Sequence, residues 1–184
     1  TLNPSSAASD VYKRQPSCFK LFWGNPVMKV SQLIFLTVIF IILSYIDTKF
    51  NLFLINFYLV SNITYLFLCY LCLRNPQKIN SLLGAYFGFI IDLHQNIFFG
   101  LHATLFTLTI LIINYNYYRL RMFSSLQITI TFSFFAAFFV GFKSILLTTM
   151  NFQYLVIFLS FFSAFFTYLL IPHLGKYLIK SDQL

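Results

Sequence analysis

Six apolar runs fill almost the whole chain between residues 30 and 171: 30–46, 52–73, 79–95, 101–118, 124–147 and 152–171. A helix crosses the hydrocarbon core of a bilayer with about 20 apolar residues, and with fewer where flanking side chains snorkel. The runs are continuous and lack the apolar–polar alternation of an outer-membrane strand, so they predict helices. Short polar breaks separate them. Asp47-Thr48-Lys49 closes the first, and Arg74-Asn75-Pro76-Gln77-Lys78 closes the second at a helix-stopping proline. The expected fold is an all-α integral membrane protein of six transmembrane helices.

Composition removes the alternatives. Only 9% of the 184 residues are charged, against roughly 25% in an ordinary soluble domain. So few charges cannot cover a water-exposed surface, which excludes a soluble enzyme and a disordered chain. The net charge of +8 comes from basic residues scattered singly and in pairs, not from the dense patch a nucleic-acid binder needs. Asp10, Asp47, Asp92 and Asp182 are the only acids, with no Glu. That is too few for most hydrolytic or metal-dependent sites, so no catalytic residue, cofactor or metal is expected.

The charges also orient the spans. Lys29, Arg74, Lys78, Arg119, Arg121, Lys176 and Lys180 fall on the side of the N-terminus, and only Lys49 and Lys143 on the other. This positive-inside bias places both ends in the cytoplasm, with Arg74, Lys78, Arg119 and Arg121 as basic anchors. Residues 1–27 differ from the rest and are expected to be non-native or disordered. Asp10-Val11-Tyr12-Lys13-Arg14-Gln15 resembles a translated sequencing-adapter scar, and Met28-Lys29-Val30 reads as a natural start of one domain, 28–184. Cys69 and Cys72 form a C-x-x-C pattern inside an apolar run. With no second ligand pair nearby, they read as small apolar side chains of a membrane helix.

The third span is the unusual one. Gly84, Gly88 and Asp92 stand four residues apart and share one helical face. Glycines at that spacing let a second helix approach closely, either within the bundle or at a partner interface. An acid in the hydrocarbon must face the bundle, a partner or water. Asp92 lies 13 residues beyond Ile79, and Lys143 lies 19 beyond Ser124. Both therefore sit in the same half of the membrane, at depths of roughly 20 and 28 Å. Two readings follow: an intramembrane Asp92–Lys143 ion pair, or a snorkelling Lys143 beside an Asp92 bonded to hydroxyls or water. His94 and His102 bracket the next turn and read as polar caps more readily than as metal ligands.

The break with Pro76, the Gly84-x3-Gly88-x3-Asp92-Leu93 core, the turn ending Gly100-Leu101, the basic pair Arg119-x-Arg121 and Gln127 together resemble the bacterial rod-shape-determining protein MreD family. The resemblance spans residues 28–184 in length, span count and orientation. It departs at Asp47-Thr48-Lys49-Phe50-Asn51, where the family often carries a proline turn. It implies a non-enzymatic, multi-pass subunit of the bacterial inner membrane that scaffolds an MreC-type single-span protein, an MreB-type filament and peptidoglycan-synthesis enzymes. It implies helix packing or partner contact for Gly84, Gly88, Asp92 and Gly100. The family's fold resembles the substrate-binding subunit of energy-coupling-factor transporters, which supplies the alternative of a small-molecule (vitamin)-binding transport subunit.

Overall fold

The computed structural model describes residues 30–76, 78–95, 99–147 and 154–178. The expected start at Met28, the scar-like segment, Lys29 and Lys180 lie outside them. Among the described residues the chain forms seven α-helices: α1 (Val30–Leu54), α2 (Ile63–Arg74), α3 (Ser81–Gln95), α4 (Leu101–Tyr115), α5 (Tyr117–Arg121), α6 (Ser125–Leu147) and α7 (Tyr154–Leu178). Three of them, over Val30–Leu54, Ser125–Leu146 and Tyr154–Pro172, are long and apolar enough to cross a membrane. The other expected spans are shorter helices: α2 has 12 residues, α3 and α4 have 15 each.

The first boundary departs from the sequence reading. The helix does not stop at Asp47-Thr48-Lys49 but runs on to Leu54, because Leu36, Phe40, Ser44 and Asp47 form one continuous buried stripe. No glycine or proline interrupts it. A 3-10 turn (Ile55–Phe57) and Tyr58, at φ 57°, follow. The second helix therefore begins at Ile63 and not at 52. Asn51 stitches this corner with both ends of its amide: Nδ2 donates to the Ser61 carbonyl (3.1 Å), and Oδ1 accepts from the Ser61 N–H (2.6 Å). At the far end, α7 continues through Pro172 to Leu178, past the expected end at 171.

Residues facing inward on α2 occupy nearly its whole circumference, from Thr64 to Leu68 and on through Cys69, Leu71 and Cys72. A helix apolar all round belongs at the centre of a bundle. Accordingly α1, α4, α6 and α7 all pack on it. Around this centre the exterior is apolar as well as the core, and several hydroxyls are buried. Ser44, Ser81, Ser133 and Ser160 are fully buried, whereas Ile34, Val38, Phe134, Phe138, Phe158 and Phe166 are exposed. Mid-helix hydroxyls of Thr37, Thr48, Thr109, Thr129 and Ser133 bond the carbonyl four residues back, which satisfies them without water.

Candidate functional site

Two buried carboxylates lie at one end of the bundle, each reaching from one helix to the start of the next. On α3, Gly88 faces α4 so closely that a Cβ there would come within 2.3 Å of the Ala103 Cα. At Gly84 a Cβ would meet the Ile110 side-chain tip at 2.5 Å, with the Phe106 backbone at 3.3 Å. The glycine face is thus a packing surface inside the chain, the first of its two expected roles. One turn on, Asp92 (1% exposed) meets the N-terminus of α4. Its Oδ2 accepts from the N–H groups of Gly100 (2.9 Å) and Ala103 (3.4 Å). Its Oδ1 accepts from the His102 N–H (3.0 Å) and lies 2.6 Å from His102 Nδ1. Gly100 enters α4 at φ 95°, a left-handed conformation that suits glycine.

Asp47 does the same for α2. Its Oδ1 accepts from the Ser61 hydroxyl and the Ile63 N–H, its Oδ2 from the Thr64 N–H and hydroxyl. Both acids thereby fill the orphan donors of a helix start, where the helix dipole also favours negative charge. The sequence reading took Asp47 for part of a polar break and missed this role. The signal was present in its spacing from Leu36, Phe40 and Ser44, which places it on the inner face.

Of the two readings for Asp92 and Lys143, the structure records no direct ion pair and gives each side chain other hydrogen-bond partners. Four donors already occupy the Asp92 carboxylate, and Lys143 Nζ instead donates to Gln95 Oε1 at 3.4 Å. The depth argument put the two residues at the same end but could not see that the start of α4 fills the carboxylate first. His94 and His102 also part company. His94 Nδ1 lies 3.3 Å from the Ser44 hydroxyl, while His102 turns to Asp92. Among the described residues, no three His, Cys, Asp or Glu side chains gather as a metal site.

The basic anchors lie at the opposite end. Arg74 ends α2, donating to the Tyr70 hydroxyl at 2.8 Å, and Lys78 follows in the turn to α3. Arg119 and Arg121 are exposed on α5, which packs against α2 and α4. Between the two ends the core holds Cys69 and Cys72, both fully buried.

A cavity of about 590 Å³ opens between the two acid-capped helix starts. Asp47, Asn62, Gln95, His102 and Lys143 give it polar walls, and Phe106, Phe139 and Val140 apolar ones. On the other side of a stacked Tyr65–Phe139 pair (centroids 4.6 Å apart) lies a second, apolar cavity of about 250 Å³ between α4 and α6. No family model, curated protein or solved structure matches this chain.

Proposed function

We propose that the chain is a non-enzymatic, multi-pass subunit of the bacterial inner membrane, with both ends cytoplasmic. It scaffolds the cell-elongation machinery by holding an MreC-type single-span protein near an MreB-type filament and wall-synthesis enzymes. One observation carries the reading. The residues behind the resemblance to the MreD family act as a single mechanical unit: Gly84 and Gly88 admit α4, Asp92 bonds its start, and Gly100 makes the turn between them. A motif that welds a helix hairpin is what a scaffold uses to present fixed surfaces to its partners. The three long apolar helices supply the anchoring in lipid.

Co-expression with a tagged MreC-type protein tests it. The chain should co-purify from mild detergent, and the open reading frames beside its own should encode cell-shape and wall-synthesis proteins. Failure to co-purify, with neighbours for vitamin uptake and ATPase subunits, would move the chain to the transport class.

A further inference from the structure

We propose that the cavity at the Asp47–Asp92 end binds an acidic amphiphile, a phosphate or carboxylate headgroup carried on a hydrocarbon body. A carboxylate offers about four lone-pair sites. Asp47 accepts from the Ser61 hydroxyl, the Ile63 and Thr64 N–H groups and the Thr64 hydroxyl. Asp92 accepts from the Gly100, His102 and Ala103 N–H groups and is paired with His102 Nδ1. Neither acid has acceptor capacity left for a bound cation.

Two groups of the cavity have donors to spare. Lys143 has three N–H donors, and its recorded hydrogen bond is a long one of 3.4 Å to Gln95 Oε1. Asn62 is 6% exposed and lines the same cavity, yet its Nδ2 has no hydrogen-bond partner. A buried amide donor without a partner is costly, and the Lys143 ammonium keeps N–H donors free although Asp47 and Asp92 lie near enough to offset its charge. An acceptor-rich group such as a phosphate or carboxylate answers both.

The walls define the rest of the ligand. A volume of about 590 Å³ lies within the roughly 300–1,000 Å³ range of small-molecule sites. Phe106, Phe139 and Val140 form its apolar side. Beyond the Tyr65–Phe139 stack, the α4–α6 cavity is lined by Leu108, Phe134 and Phe138, whose side chains are exposed on the apolar exterior. The head site thus carries its own apolar side for the start of a hydrocarbon body, and the groove lies behind the Tyr65–Phe139 stack.

The headgroup could arrive on a membrane lipid or on a soluble anion, and the test separates the two. The full chain is reconstituted in phosphatidylcholine nanodiscs containing some phosphatidic acid, and the lipid retained after extraction is counted by native mass spectrometry. Phosphatidic acid should be retained over phosphatidylcholine by about tenfold. Lys143→Arg should keep that preference, Lys143→Met should abolish it, and Asn62→Ala should weaken it several-fold, with circular-dichroism melts confirming that each variant folds. In the second arm 1-naphthyl phosphate is added from solution. A Lys143-dependent rise in melting midpoint without lipid enrichment assigns the site to a soluble anion. The proposal falls if neither probe is favoured, or if the preference survives in both Lys143→Met and Asn62→Ala. Partner co-purification is a separate readout, so either proposal can fail without the other.

Discussion

At the scale of single residues, Asp92 and His102 act as one unit. Only 1% and 4% exposed and 2.6 Å apart, they leave each other uncompensated if either is removed. Asp92→Asn should cost on the order of 3 kcal/mol of unfolding free energy, since it also weakens the bonds to three backbone N–H groups. Combined with His102→Gln it should show a coupling of about 1–3 kcal/mol, whereas Asp92→Asn with Lys143→Met should add within about 0.5 kcal/mol. Chemical unfolding of the five single and double variants in detergent measures both. The glycine face and the inward direction of Asp92 were legible before the fold, because spacing and the cost of a charge in lipid are local facts. It hid the partner. Depth along two helices says how far in a group sits, but not which of several donors reaches it first.

Among the elements, α2 depends most on help from elsewhere. It has only 12 residues and no side-chain cap of its own at Asn62. An isolated helix of that length is marginal, so its first turn relies on the Asp47 carboxylate delivered by α1. Asp47→Asn should therefore speed amide hydrogen exchange at Ile63 and Thr64 more than at Gly100 and His102, which lean on Asp92. Exchange mass spectrometry resolved to these two helix starts would show it, and equal acceleration at both would contradict it. The helices themselves were legible from the apolar runs. Their ends at 46 and 52 were not, because a polar triplet looks the same whether it leaves the membrane or continues a buried stripe. The spacing of Asp47 from Leu36, Phe40 and Ser44 points to the second, and contact with Ser61 and Thr64 decides it.

Over the whole molecule, charge separates the two ends of the bundle. Arg74, Arg119 and Arg121 stand at one end and the acid-capped helix starts at the other. Tyr58 and Met122, 51% and 86% exposed, mark these ends without disturbing a buried contact. Single cysteines placed there in a chain lacking Cys18 should react with an impermeant maleimide from opposite sides of the membrane, Met122→Cys from the cytoplasm. Cys69 and Cys72 are fully buried and should stay silent. Reaction of both probes from one side would overturn the proposed orientation. The shortness of α2 has an electrical consequence as well. Its 12 residues span about 18 Å in a hydrocarbon layer about 30 Å thick. Non-helical backbone at the remaining depth persists only against protein or water. Water filling the cavity down to Asn62 would carry the potential of the bulk solution inward with it. The membrane voltage would then drop across the length of α2 alone, in a field roughly 1.7 times that in the surrounding lipid. Lys143, half-buried by area, would sit at the potential of the outside solution.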